Sequence, residues 1–142
     1  MCIIIDANVA HQFSNGSEAA AFVVDWLSGG GKTVIGGKQK AELFKTNIKP
    51  LLVEWVRSGI ARSCDDAEID KQIAKFANDG KCKSNDVHII SLAKVSGVRL
   101  LYTCDGALIA DFKNLQILSP KGRIYKSKKQ RSLLKRCPKC KK

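Results

Sequence analysis

One stretch of the chain, residues 84–111, constrains the fold more than any other. Ser84 and the asparagine after it are good N-cap residues, so we expect a helix to begin there with Asp86 in its first turn, where the helix dipole favours an acid. A glycine ends this helix, and the apolar run 98–102, interrupted only by an arginine, predicts a buried strand. Asp105 follows the end of that strand. Ligands bind outside the carboxyl ends of strands in an open parallel sheet, so Asp105 is expected at a functional site.

The rest of the chain alternates between strand and helix patterns. Residues 2–5 are rich in β-branched side chains and lead into Asp6, and 33–35 form a second short apolar run. Apolar residues at helical spacing lie between these two runs and again after the second one, and a last short strand is predicted at 115–118. This alternation predicts an α/β fold with a mostly parallel sheet that helices cover on both faces.

Four acids stand at predicted strand ends or helix starts, or beside the apolar face of the helix predicted over 38–44. Carboxylates on one edge of a sheet repel each other and raise each other's pKa unless cations neutralise them. Magnesium and manganese prefer oxygen ligands, and such ions lower the pKa of a bound water in phosphodiester cleavage. We therefore expect a Mg²⁺ or Mn²⁺ site formed by Asp6, Glu42, Asp86 and Asp105.

The positive charge of the chain is concentrated at its C-terminal end. Residues 121–142 contain 11 Lys and Arg and no acids, whereas the whole chain has a formal net charge of +12. We therefore divide the chain into a folded domain, residues 1–119, and a basic tail, residues 120–142. A tail of this kind attracts a polyanion, and nucleic acid is the usual one. A solvated terminus that only improves solubility explains the same charge.

Two cysteines of the tail, Cys137 and Cys140, have the spacing of one zinc knuckle. A structural zinc needs about four ligands, and the chain has no second cysteine or histidine pair with knuckle spacing. A Zn²⁺ ion shared between two chains and no metal at all are both open, and we favour no metal.

The chain carries no pattern typical of membrane insertion or secretion. It has no apolar run of about 18 residues, and no basic segment precedes the short apolar stretch at its start. We therefore predict neither a membrane span nor a signal peptide, and we expect a cytoplasmic protein.

Several of these residues occur in an order typical of one known family. The matching marks are Asp6 at the end of a strand with Asn8 two residues later, a helical Glu42 before Leu43, Asp86 opening a helix that contains Ala93, and Leu-Tyr-Thr-Cys-Asp over 101–105 followed by Asp111-Phe112. From residue 2 to about residue 118, the chain resembles the PIN-domain ribonucleases.

This resemblance implies a three-layer α/β/α fold and a metal-dependent endonuclease activity on single-stranded or structured RNA. Residues 1–119 would then be a PIN-like nuclease domain, with catalytic metal ligands at Asp6, Glu42, Asp86 and Asp105. Thr103 and Asn8 are implied as polar supports of these acids. Asp111 corresponds to an acid that some members use, although its place deeper in the predicted helix also suits a cap or a salt bridge.

The resemblance also sets expectations about partners. RNA is the expected substrate, an antitoxin or another regulatory protein is an expected partner, and homodimers are frequent in this family. The basic tail is unlike that of a minimal toxin-type member, and its cysteine pair is similar to half of the zinc ribbon in PIN nucleases of ribosomal RNA maturation. The biological role stays open between a toxin–antitoxin ribonuclease and an RNA-processing or defence nuclease.

Other classes of protein remain as alternatives. A non-catalytic RNA-binding module of PIN-like fold would keep the basic tail but would not need all four acids. A haloacid-dehalogenase-type phosphatase needs a second aspartate where Asn8 stands, and a response-regulator receiver needs an acidic neighbour that Asp6 lacks. His11 and His88 are expected to be surface or half-buried polar residues rather than general bases.

Overall fold

Five short parallel strands form the central sheet of the computed structural model, which describes residues 2–135 of the chain. The strands are β1 (Cys2–Ile5), β2 (Lys32–Ile35), β3 (Ala61–Ser63), β4 (Leu100–Tyr102) and β5 (Arg123–Tyr125). Their order across the sheet is β3-β2-β1-β4-β5, and every neighbouring pair is parallel. The predicted α/β fold with a parallel sheet is confirmed.

Helices cover both faces of this sheet. They are α1 (Glu18–Ser28), α2 (Gly37–Leu43), α3 (Lys49–Ser58), α4 (Asp66–Asp79), α5 (Val87–Ser96), α6 (Gly106–Phe112) and α7 (Ser132–Lys135), with 3₁₀ helices at Ala7–Phe13 and Lys128–Gln130. Side chains alternate across β1, so Ile3 and Ile5 pack with α1 and α3 on one face, whereas Ile4 packs with α4, α5 and α6 on the other. The described part of the chain is therefore a three-layer α/β/α sandwich.

Within residues 2–135, no helix combines the length and the apolar character that a membrane-spanning helix needs.

The strand order reverses between β1 and β4. From β1 the chain continues to β2 and β3 on one side of the sheet, whereas β4 and β5 lie on the other side. Ile5 is paired in register with Tyr102, and Tyr102 with Tyr125, so β1, β4 and β5 end at the same level. The crevice outside the carboxyl ends of β1 and β4 is the topological switch point, where open parallel sheets bind ligands.

The fifth strand corrects two predictions from the sequence. The prediction of a strand at 115–118 is wrong, because these residues form turns in which Ile117 and Leu118 are buried. The last strand is instead β5, which lies in the part of the chain assigned to a basic tail. It is an edge strand of only three residues, and its exposed Arg123 is typical of such strands, where charged residues are common.

The folded body therefore continues beyond the boundary drawn at residue 119. Tyr125 is fully buried and donates a 2.6 Å hydrogen bond from its hydroxyl to the carbonyl of Ala19 at the start of α1. Leu134 in α7 is also buried in the cluster that contains α1 and α3. Cys137 and Cys140 lie outside the described residues, so the structure does not bear on the predicted zinc knuckle.

Candidate active site

Asp6 lies at the carboxyl end of β1 and is only 5% exposed. Its Oδ2 accepts a 2.8 Å hydrogen bond from the hydroxyl of Thr103, and its Oδ1 is 3.5 Å from the backbone nitrogen of Asn8. Burial raises the pKa of the Asp6 carboxyl above its usual value, and these two hydrogen bonds oppose that effect. The charges of Asp86 and Asp105 raise the pKa of Asp6 further, which shows that the three carboxyls share one electrostatic environment.

Asp105 is the N-cap of α6, which begins just after β4. Its Oδ1 accepts hydrogen bonds from the backbone nitrogens of Ala107 at 3.0 Å and Leu108 at 3.3 Å. Both bonds use the same oxygen, so capping leaves the second carboxylate oxygen for other contacts. The backbone nitrogen of Asp105 donates to the Thr103 hydroxyl at 3.1 Å, which fixes the turn that delivers this carboxyl to the sheet edge.

Asp86 occupies the N-cap position of α5 rather than the first turn that the sequence predicts. Its side chain makes no capping hydrogen bond, and its backbone nitrogen donates to the hydroxyl of Ser84 at 3.2 Å. Burial raises the pKa of the Asp86 carboxyl, and a hydrogen bond to the Asp105 carboxyl raises it further, as do the charges of Asp105 and Glu42. The carboxyls of Asp86 and Asp105 are therefore near enough to influence each other.

Glu42 lies on α2 at the rim of this cluster. Its Oε1 is 3.9 Å from the ammonium of Lys38 and 3.4 Å from Nε2 of His88, and its side chain is 38% exposed. Its charge acts on Asp86, but the two pairings hold its carboxyl toward α2 and α5. The structure thus brings Asp6, Asp86 and Asp105 together and places Glu42 beside them.

His88 is a site residue that the sequence analysis missed. It was expected at the surface or half-buried, but it is 6% exposed and faces Glu42. Burial lowers the pKa of its imidazole, although the charges of Glu42 and Asp6 oppose that effect, so the ring is favoured in its neutral form. The available signal was the apolar sequence on both sides of it, since a polar ring buried among residues such as Ile89, Ile90 and Leu92 needs a polar partner.

Gln39 also supports the site without a mark in the sequence. It is 1% exposed, its Nε2 donates to the carbonyl of Ile5 at 2.9 Å, and its Oε1 accepts from the backbone nitrogen of Gly36 at 3.1 Å. These bonds tie the first turn of α2 to the residue before Asp6. Gln39 therefore fixes the distance between the helix that carries Glu42 and the strand that carries Asp6.

Asp111 serves the loop before α5. It is 3% exposed, and its Oδ2 accepts hydrogen bonds from the backbone nitrogens of Lys83 at 2.9 Å and Ser84 at 2.8 Å. Because Ser84 in turn holds the backbone of Asp86, Asp111 acts on the cluster through that loop. These bonds cap no helix, because Lys83 and Ser84 precede Asp86, the N-cap residue of α5.

The donor set fits a hard divalent cation in its chemistry. Its three central members offer carboxylate oxygens, which Mg²⁺ and Mn²⁺ prefer to imidazole or thiolate. The positions of these side chains do not yet form a metal site. Among residues 2–135, no three acidic, histidine or cysteine side chains are grouped closely enough to hold a metal ion as they stand. Some rearrangement of the carboxyls would accompany binding.

Comparison of the chain with protein-family models, with curated proteins and with solved structures found no match. The likeness to PIN-domain ribonucleases therefore stays a prediction from the sequence.

Proposed function

We propose that this protein is a metal-dependent endoribonuclease that hydrolyses RNA phosphodiester bonds at the cluster of Asp6, Glu42, Asp86 and Asp105. The observation that carries the proposal is the position of three acids at the topological switch point of the sheet: the buried Asp6 after β1, and Asp86 and Asp105 at the N-caps of α5 and α6. Acids with a purely structural role are normally paired with basic side chains or exposed to water, whereas the charges of these three carboxyls repel one another.

The electrostatic cost of this arrangement supports a cationic ligand. Like charges in contact disfavour ionisation of both groups, and burial adds to that effect for Asp6 and Asp86. Lys38 lowers the pKa of Asp86, but its effect is the smallest of those that act there. A divalent cation would offset the repulsion and favour the ionised carboxylates of Asp6 and Asp86.

Asp6, Asp86 and Asp105 would hold the ion, with Glu42 at the rim. When bound, such an ion lowers the pKa of a water molecule to give a hydroxide nucleophile and neutralises charge on the phosphodiester. The chain's own residues then have positioning roles. Thr103 orients the Asp6 carboxyl through its hydroxyl, and His88 and Lys38 hold the Glu42 carboxyl at the edge of the cluster.

RNA as the substrate is supported by the resemblance to PIN-domain ribonucleases and by the charge of the C-terminal end. In 121–135 there are seven Lys and Arg and no acids. Such residues contact phosphates without reading bases, so selection among RNAs would come from shape and from unpaired bases. The alternative, a non-catalytic RNA-binding module of the same fold, is favoured only by the incomplete grouping of ligands within the described residues.

The test is cleavage by the full chain of an end-labelled RNA that contains a hairpin and a single-stranded tail, with Mg²⁺, with Mn²⁺ and with EDTA. Asp6→Asn and Asp105→Asn keep the side-chain shape, and asparagine still caps a helix. We expect metal-dependent cleavage that each substitution lowers by about two orders of magnitude or more, with RNA binding retained. Asp70→Asn, which changes an exposed acid of α4, is the matched control and should cleave like the wild type.

The outcomes separate the two functions. Binding of RNA without cleavage under any metal would support the non-catalytic module and overturn the nuclease. Cleavage that persists in Asp6→Asn and Asp105→Asn would show that the activity does not belong to this cluster.

A further inference from the structure

A groove of about 480 Å³ lies between α1 and α7, at the margin of the core cluster that contains α1 and α3. Phe22 and Trp26 stand one helical turn apart on α1 and are half-buried, and Leu134 of α7 completes the apolar wall. Asp25 and Arg131 provide its polar lining. The two aromatic side chains are only partly covered: Arg131 lies over the Phe22 ring and Gly31 packs against the Trp26 ring, and the rest of each ring is open at the edge of solvent.

The rim of this groove is basic. Lys128, Lys129 and Arg131 line an adjoining depression together with Glu18, whose carboxylate is 3.0 Å from the Lys128 ammonium. The guanidinium of Arg131 lies 5.5 Å from the centroid of the Phe22 ring, within the range of a cation–π contact. Arg131 is thus shared by the apolar groove and its basic rim, and it is held in place by Phe22.

The basic segment begins at the same edge of the sheet as the carboxylate cluster. Asp6 follows Ile5 at the end of β1, and Lys126 follows Tyr125 at the end of β5, and the register shows that these strands end level. Only β4 stands between β1 and β5, so Lys126 and Asp6 are two strand spacings apart, about 10 Å along the sheet edge. A short oligonucleotide spans that separation.

We infer that this groove binds single-stranded RNA, with a base stacked on Trp26 and Phe22 and the neighbouring phosphates on Lys128, Lys129 and Arg131. Aromatic surfaces beside cationic side chains bind single strands in this way, because every base has a face that stacks and every nucleotide has a phosphate. Asp25 would repel a phosphate but can accept a hydrogen bond from a base, which places the base inside the groove. The inference deepens the proposed function and rests on its premise that the substrate is RNA.

The test measures binding without cleavage, in EDTA and in the Asp6→Asn background of the full chain. The probe is a fluorescein-labelled oligouridine of about ten nucleotides, which has no stable secondary structure. Binding is read by anisotropy, and an unlabelled copy is used to read tryptophan emission. Trp26 is half-buried, whereas Trp55 is 4% exposed, so a base stacked in the groove would quench Trp26 selectively.

Arg131→Ala and Trp26→Leu should each raise Kd about tenfold, and Trp26→Leu should remove the RNA-dependent quenching. Arg131→Ala should also reduce the slope of log Kd against log salt by about one. The matched control is Lys75→Ala, which removes one exposed charge from α4 in the opposite layer and should leave Kd nearly unchanged. Phe22→Leu provides a second apolar variant if Trp26→Leu does not fold.

Three results would overturn the inference: equal losses in Arg131→Ala and Lys75→Ala, binding with no change in tryptophan emission, or no binding of oligouridine. The last result would favour a protein segment, rather than RNA, as the ligand of the groove. The nuclease proposal fails separately. If the groove variants lose RNA binding and the protein cleaves no RNA, the groove inference stands and the nuclease proposal fails. If the protein cleaves RNA with metal and the groove variants bind RNA as well as the parent, the nuclease proposal stands and the groove inference fails.

Discussion

Thr103, which follows β4, makes a buried side-chain hydrogen bond to Asp6, which follows the neighbouring strand β1. The Thr103 hydroxyl donates to Oδ2 of Asp6 at 2.8 Å, and the same hydroxyl oxygen accepts from the backbone nitrogen of Asp105 at 3.1 Å. Thr103 has no exposed surface. One hydroxyl therefore fixes the positions of two acids of the candidate active site relative to each other.

Thr103→Val should separate this positioning role from packing. Valine has nearly the same shape but neither donates to Asp6 nor accepts from Asp105, so we expect RNA cleavage to fall about tenfold or more and the free energy of unfolding to fall by about 1–2 kcal/mol. Thr103→Ser keeps the hydroxyl and should retain most of the activity. Cleavage rates and denaturant unfolding measure the two effects. Equal loss of activity in the serine and valine variants would assign the role to the methyl group instead.

Asp86→Asn should stabilise the metal-free protein, and more so as the pH rises. Burial and the neighbouring acids raise the pKa of Asp86 in the folded state above its ordinary value, so the folded protein holds this proton more strongly than the unfolded chain. Stability is then lost as the pH rises through the folded pKa, because ionisation is unfavourable there. Asparagine resembles the protonated acid, so the gain in melting temperature in EDTA should be larger at about pH 7 than at about pH 4.

The same variant gives a test with metal. Mn²⁺ should raise the melting temperature of the wild type, because a ligand that binds only the folded state stabilises it, and the rise should be much smaller in Asp86→Asn. A gain in EDTA that does not depend on pH, together with an unchanged response to Mn²⁺, would show that Asp86 is not part of a cation site.

Asp111 should matter for stability more than its distance from the central acids suggests. Its Oδ2 accepts from the backbone nitrogens of Lys83 and Ser84, and Asp111→Ala leaves both without that partner. We expect a loss of about 3 kcal/mol in the free energy of unfolding, with a smaller loss in Asp111→Asn, which keeps one acceptor oxygen. Denaturant unfolding measures both. If alanine and asparagine cost the same, the carboxylate oxygen is not what holds the loop.

Local chemistry allowed part of this site to be predicted from the sequence. Asp6 and Asp105 follow strands whose apolar character is plain, and Asp86 precedes a helix whose end is marked by Gly97, which has a φ of 78° at the C-cap. Since parallel strands end at one edge, the placement of these acids follows from the order of the elements. The structure agrees with that placement, although helix α5 begins one residue later than the N-cap signals indicate.

Features that depend on distant contacts could not be predicted in the same way. Strand β5 has three residues, one of them a buried tyrosine, and it forms because it pairs with β4 and its tyrosine reaches α1. The apolar residues Ile117 and Leu118 give the sequence pattern of a strand, but in the structure they are buried as part of a turn. His88 was missed because its partner, Glu42, is distant in sequence.

Gly122 is the residue on which the attachment of β5 depends, and its substitution tests the corrected domain boundary. A Cβ at this position would collide with the ring of Phe112 and lie 2.7 Å from the Phe112 carbonyl oxygen. The Gly122 nitrogen also donates to that carbonyl at 2.8 Å, so the backbone cannot easily move away. Gly122→Ala should therefore lower the free energy of unfolding by about 1–3 kcal/mol.

The control is the same substitution where space is free. A Cβ at Gly106, the first residue of α6, meets nothing within 4 Å, so Gly106→Ala should be neutral or slightly stabilising. Both variants are compared by denaturant unfolding of the full chain. If residues after 119 were only a solvated basic tail, Gly122→Ala would unfold like the wild type. A loss of unfolding free energy in Gly122→Ala but not in Gly106→Ala would show that β5 belongs to the cooperative fold. The fold would then hold the basic segment after β5 at the edge of the sheet where the acids lie.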